Sequence, residues 1–126
     1  MAGGKGSRLG NPEKCLIRIG GRRIIASLVE TLSSLGFHNY VSTTGCHRNV
    51  VEFASVNGIG IIYTTGSGYE HDLRRSILSL SIVPVLLLPA DFITSDKMLF
   101  QKVWELGIEK ESGVVTFTIN GNFNGI

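Results

Sequence analysis

Residues 85–88 read Val-Leu-Leu-Leu, apolar at every position, and this run narrows the folds open to the chain more than any other. A strand apolar on both faces must be covered on both, which suits the interior of a parallel sheet. Around it, short apolar runs alternate with segments of helical periodicity. Extended pieces are expected at 16–19, 40–43, 59–63 and 114–119, and helices at 22–35, 49–56, 70–80 and from Thr94 or Ser95 to Leu106. In the first helix the apolar side chains fall at 24, 25, 28, 29, 32 and 35, one helical face, and Gly36 stands where a glycine C-cap belongs. Gly20-Gly21, Asn57-Gly58 and Asn120-Gly121 read as turns, and Gly107 as the stop of the last helix. Phe100 and Trp104 share an apolar helix face and read as core. Alternating strands and helices imply an α/β fold, three-layered and Rossmann-like, with a mainly parallel sheet. Such sheets bind ligands beyond the carboxyl ends of their strands.

Composition agrees with one well-buried domain. The chain has 126 residues, 43% of them hydrophobic and only 17% charged. A net charge of +2 is too slight for a nucleic-acid surface. The longest apolar run, 82–90, holds Pro84 and Pro89 and is far short of a membrane span. With no secretory signal after Met1, Cys15 and Cys46 read as reduced thiols and the protein as cytoplasmic.

The richest chemistry lies in the first fourteen residues, MAGGKGSRLGNPEK. Gly3, Gly4 and Gly6 let the backbone bring its N–H groups close to a ligand, and successive N–H groups form a concavity for an anion. Arg8 and Lys14 beside such a concavity suit a polyphosphate better than a single carboxylate. The Walker spacing is absent, and the dinucleotide fingerprint fails because Leu9 stands where it needs a glycine. The competing reading is a glycine-rich surface turn.

Two further segments belong to the same sheet edge. Asp91 directly follows the apolar run in LLLPADF, where a carboxylate facing a triphosphate could hold a magnesium ion; a plain turn or helix-entry aspartate is the alternative. In TTGSGYEHDL, residues 64–73, Gly66 and Gly68 allow close backbone approach and Tyr69 could pack on a sugar or base. Asp72 there is explained by the dipole of the helix it opens. His38, His47 and His71 are uninformative, and Cys46-His47 lacks a second ligand pair at zinc spacing.

The pattern GGxGxRLGxPEK resembles the signature of the MobA-like nucleotidyltransferases, through Gly3, Gly4, Gly6, Arg8, Leu9, Gly10, Pro12, Glu13 and Lys14. Together with TGSGYEHDL, LPADF and the terminal FNGI, the chain resembles the archaeal GTP:adenosylcobinamide-phosphate guanylyltransferases within that family. The resemblance implies a single nucleotidyltransferase domain of the nucleotide-diphospho-sugar transferase type over 1–126. It also implies that this chain lacks the family's first strand, before Met1, and its C-terminal part, which would leave neighbouring strands with bare edges.

The activity implied is transfer of GMP from GTP to a phosphate monoester, adenosylcobinamide phosphate, with release of pyrophosphate. Ala2, Gly3, Gly4, Lys5, Gly6, Ser7, Arg8 and Lys14 would bind the nucleotide, with Gly66, Gly68 and Tyr69. Arg8, Lys14 and Asp91 would be catalytic, and Asp91 the ligand of Mg2+ or Mn2+. No nucleic acid or membrane partner is implied, and the oligomeric state, homodimer included, stays open. Molybdopterin guanylyltransferase, sugar-1-phosphate nucleotidyltransferase and an inactive nucleotide-binding remnant remain as alternatives.

Overall fold

A computed structural model describes residues 1–2, 13–81 and 84–110. The expected strand at 114–119, the Asn120-Gly121 turn, the FNGI terminus and the loop residues Gly3, Gly4, Lys5, Gly6, Ser7, Arg8, Leu9, Gly10 and Pro12 lie outside the described residues. The chain divides into two compact units, Met1–Ile93 and Thr94–Ile126.

In the first unit a short 3-10 turn, Lys14–Leu16, leads into a two-stranded antiparallel hairpin, β1 (Arg18–Ile19) and β2 (Arg22–Arg23). Gly20 and Gly21 take φ of +58° and +81°, two successive left-handed residues as in a type I′ turn, whose twist matches a tight hairpin. This turn corrects two expectations. The extended piece at 16–19 shrinks to two residues, and the helix expected from 22 begins at Ile24 because Arg22 and Arg23 are drawn into the hairpin. Helix α1 (Ile24–Ser34) buries Ile25 and Leu28. Its end is the expected one: Gly36 has φ +87°, Phe37 N–H reaches Leu32 O at 3.0 Å and Gly36 N–H reaches Ser33 O at 3.0 Å, a Schellman pair.

Strand β3 (Tyr40–Thr44), helix α2 (Arg48–Val56) and strand β4 (Gly60–Thr64) form a parallel crossover, with Tyr40 opposite Gly60 and Thr44 opposite Thr64. Gly58, at φ +66°, ends α2 in the same way, with Ile59 N–H on Ala54 O at 2.9 Å. Helix α3 (Tyr69–Leu80) follows.

Alternation along β3 shows how the layers are arranged. Val41 packs with Val50, Phe53 and Ala54 of α2 and with Ile25 of α1, and Thr43 Oγ1 lies 3.1 Å from His47 Nδ1 at the start of α2. Ser42, pointing the other way, hydrogen-bonds Ser76 of α3 at 2.6 Å. Helices therefore cover both faces, as three layers require. Removing Phe53 from this core would cost about 3–5 kcal/mol.

Residues 1–2 bridge β3 to the apolar run. Ala2 N–H donates to Ser42 O at 2.8 Å, Met1 nitrogen donates to Leu88 O at 2.7 Å, and Ala90 N–H donates to Met1 O at 3.0 Å. The last two bonds straddle Pro89 in the pattern of a parallel pair. Side by side, the extended segments run β4, β3, residues 1–2, residues 88–90. Met1 and Ala2 thus meet the edge of β3 at Ser42.

The apolar run itself departs from expectation. Residues 85–88 carry no strand, and Val85 is 37% exposed, although Leu88 and Ala90 are buried. Among the described residues the hydrogen-bonded partner of this run is Met1, and one bridge is too short to make a regular ladder. Ile82 and Val83 lie outside the described residues.

In the second unit, helix α4 (Leu99–Glu109) buries Phe100 fully and Trp104 in part. It starts later and ends later than its sequence suggests. Thr94 Oγ1 accepts from Asp96 N–H at 3.1 Å and Asp96 Oδ1 accepts from Met98 N–H at 3.0 Å, so two local turns use up the segment read as a cap. Gly107 lies inside the helix rather than past its end, at a cost of about 1 kcal/mol relative to alanine.

Candidate active site

Residues 1–2 and residues 88–90 run side by side in the parallel sense. Asp91 follows Ala90 at the carboxyl end of that pair. Open α/β sheets bind ligands at that end of their strands. Asp91 sits in a tight turn closed by Phe92 N–H on Pro89 O at 3.2 Å, with its side chain exposed. Among the described residues its carboxylate has no hydrogen-bond or ion-pair partner, unlike an aspartate whose work is to cap a turn.

Electrostatics tie Asp91 to the other end of the loop. The Cys15 thiol is 3% exposed, and burial pushes its pKa from 9.0 up to about 11. The carboxylates of Glu13 and Asp91 push it the same way, against the local backbone hydrogen bond and the chain's amino group, which lower it. Asp91 therefore lies within electrostatic reach of the turn that carries Lys14. Lys14 is half-buried, and among the described residues no carboxylate pairs with it.

Glu13, a motif residue with no assigned role, turns inward. Its Oε1 accepts from Val50 N–H at 3.0 Å and its Oε2 from Asn49 Nδ2 at 2.6 Å. This carboxylate caps the N-terminus of α2, where negative charge is favoured. His47, read as uninformative, is buried with Nδ1 2.9 Å from Ala2 O, and Thr43 Oγ1 reaches the same carbonyl at 3.3 Å. A carbonyl can only accept, so the contact puts the ring proton on Nδ1.

The third segment is held by Asp72. This residue is 5% exposed, and its Oδ1 accepts from Gly66 N–H at 3.2 Å and faces Thr65 Oγ1 at 3.5 Å. Beyond favouring the helix dipole, Asp72 thus fixes the loop that follows β4. Gly66 has φ +71° and a Cβ there would sit 3.1 Å from Thr44 Cγ2; Gly68 has φ +141°. Both conformations favour glycine. Tyr69 opens α3 half-exposed, its hydroxyl pKa raised by partial burial. The distance from this loop to Asp91 is bridged by no described side chain.

Two concavities flank α2, one of about 570 Å³ touching Glu13, Arg18, Arg23 and Asn49, the other of about 330 Å³ touching Arg48, Glu52 and Tyr63. Neither takes in Asp91 or Gly66.

The chain matches the MobA-like NTP transferase domain over residues 1–124. This chain belongs to the MobA-like NTP transferase family. It is also 34% identical, over 99 residues, to an adenosylcobinamide-phosphate guanylyltransferase of Methanocaldococcus jannaschii, an alignment covering 74% of this chain and 50% of that protein. The chain thus spans about half the length of this curated relative. No solved structure matches it. Family membership agrees with the α/β class and parallel pairing seen here, and places the glycine loop, Glu13, Lys14, Asp91 and the Gly66–Asp72 contact within one matched domain. Among the described residues no helix is long and apolar enough to cross a membrane.

Proposed function

We propose that this domain is a guanylyltransferase, moving GMP from GTP to a phosphate monoester, with adenosylcobinamide phosphate as the acceptor. The observation that carries the reading is the placement of Met1 and Ala2 between β3 and residues 88–90, which brings the start of the glycine-rich segment beside the segment that ends in Asp91. Membership of the family supports nucleotidyl transfer, and the name of the Methanocaldococcus relative supports the guanine base and the acceptor.

In the proposed reaction a phosphate oxygen of the acceptor attacks the α-phosphorus of GTP. The bond from that phosphorus to the bridging oxygen breaks, and pyrophosphate leaves with the electron pair. The protein's part is positioning and charge neutralisation. Backbone N–H groups from Gly3 to Ser7, with Ala2 and Lys5 among the contacts, would hold the phosphates, while Arg8 and Lys14 would offset charge growing on the leaving group. Gly66, Gly68 and Tyr69, on the loop fixed by Asp72, would border the nucleoside.

Among the described residues no three His, Cys, Asp or Glu side chains converge on one point, so Asp91 offers a single unpaired carboxylate. That donor set fits magnesium or manganese, which is held by one or two carboxylates together with substrate phosphate oxygens and water. The ion would be held by Asp91 and would supply positive charge to the phosphates.

The test is pyrophosphate release from GTP and magnesium, with adenosylcobinamide phosphate, molybdopterin or a sugar 1-phosphate as acceptor. Release with the corrinoid acceptor alone is expected. Release with only one of the other two assigns the domain to that branch of the family, and nucleotide binding with no release for any acceptor refutes transfer by this chain.

A further inference from the structure

We infer that the first turn of α2 is a clamp that fixes both feet of the glycine loop, through His47 at one end and Asn49 with Val50 at the other. The inference rests on the reading of residues 3–12 as the triphosphate loop and concerns what holds it in place.

The residues that bracket that segment are Ala2 and Glu13, and both are bound to the same helix end. Ala2 O accepts from His47 Nδ1 at 2.9 Å, while Glu13 accepts from Val50 N–H at 3.0 Å and from Asn49 Nδ2 at 2.6 Å. His47 is the N-cap residue of α2, and Asn49 and Val50 are its second and third helical residues. One rigid turn therefore sets the separation of the loop's two ends. The partners lie 45, 36 and 37 residues apart in sequence, so nothing local would bring them together.

The chemistry of the two contacts differs from ordinary capping. His47 and Asn49 have little reason to face the residues that bracket 3–12 if the cap served only α2, since a Ser or Asp at the N-cap position would satisfy the helix from within. Here the helix has no cap from its own N-cap side chain and takes a carboxylate from across the fold instead. His47 in turn commits its Nδ1 proton to a backbone carbonyl of residue 2. The helix end and the loop ends are satisfied by each other. Glycine loses more conformational freedom on being ordered than any other residue. Fixing the ends of a glycine-rich segment beforehand lowers what a triphosphate must supply to order it. Neither His47 nor Asn49 touches the ligand in this scheme; both are positioning residues.

The experiment is calorimetric titration of the full chain with GTP and magnesium, beside thermal melts of each variant. Glu13→Ala and His47→Ala should each weaken GTP binding about tenfold, the worth of one or two hydrogen bonds. His47→Asn, whose Nδ2 can still donate to Ala2 O, should recover most of the loss. Because both contacts restrain one segment, the double variant Glu13→Ala/His47→Ala should lose clearly less than the product of the single losses. Where His47→Ala does not fold, the exposed Asn49→Ala, which keeps the Val50 bond to Glu13, gives the same reading with a smaller loss.

Lowered melting temperatures with unchanged GTP affinity would make these residues structural only and overturn the clamp. Single losses that multiply in the double variant overturn it too, since they would mark independent contacts. Gly4→Val, run in parallel, separates the two ideas. If it abolishes binding while the clamp variants bind like the wild type, the clamp alone fails. If it binds GTP normally, or the wild type does not bind GTP, the phosphate-loop reading fails and the clamp with it.

Discussion

Raising the pH from 9 to 11 should destabilise this protein through Cys15. The thiol is 3% exposed, and in the folded chain burial shifts its pKa from 9.0 to about 11. Between those values the unfolded chain has released the proton and the folded chain still holds it. Stability therefore falls as pH rises through this window and is unaffected by Cys15 below it. The slope is about 1.4 kcal/mol per pH unit, which amounts to about 3 kcal/mol across the window. The assay is urea unfolding at intervals from pH 8 to about 11, comparing the wild type with Cys15→Ala, which removes the titrating group. The difference between the two should shrink by about that amount as pH rises.

The same thiol reports on the site. In a Cys46→Ser background, the ultraviolet difference from Cys15→Ser/Cys46→Ser, which cancels the tyrosines, follows the Cys15 thiolate, and Asp91→Asn should lower its pKa by removing a carboxylate that pushes it up. A Cys15 that titrates near 9.0 in the folded protein would refute the burial argument. A Cys15 titration indifferent to Asp91→Asn would remove that carboxylate from the thiol's electrostatic surroundings.

Further expectations concern the candidate site residues. Asp91→Asn should cut magnesium-dependent pyrophosphate release by orders of magnitude and change metal-free GTP binding much less; an unchanged magnesium dependence removes Asp91 from the site. Lys14→Ala and Arg8→Ala should weaken triphosphate binding with melting temperatures near the wild type, and unfolding in either would point to a structural role instead. Gly66→Ala should destabilise by about 1–2 kcal/mol from the left-handed backbone alone, with the Thr44 contact at 3.1 Å adding to it, and a neutral substitution in urea unfolding would contradict the described loop. GTP should raise the melting temperature more than ATP, CTP or UTP at equal magnesium, by mass action on a guanine-selective site; equal shifts would exclude that selectivity.

Features set by neighbours along the chain are legible in the amino-acid pattern alone. The periodicity of 24–35 and the glycines at 36 and 58 place α1, α2 and their ends to within a residue or two, because helix caps are made from local backbone and a residue free to take positive φ. The parallel, helix-covered sheet follows from alternating patterns, and the glycine loop with Arg8 and Lys14 identifies the family by motif. Two local readings fail for local reasons: the Gly20-Gly21 turn draws Arg22 and Arg23 out of α1, and Gly107 is absorbed into a helix able to bear its cost.

What only the tertiary structure decides is the use of polar side chains with distant partners. Glu13 belongs by pattern to a phosphate motif and serves as the cap of α2; His47 has no pattern around it and holds Ala2; Asp72 has the position of a dipole residue and fixes Gly66. The run at 85–88 carries enough hydrophobicity for a central strand, yet a ladder needs a neighbour along its whole length, and among the described residues it bonds Met1 through one bridge. Hydrophobic pattern and backbone caps act over a turn or two of chain, so they can be read from the residues themselves. A buried hydrogen bond is selected by whatever group the fold delivers to within about 3 Å, and only the assembled sheet determines which group that is.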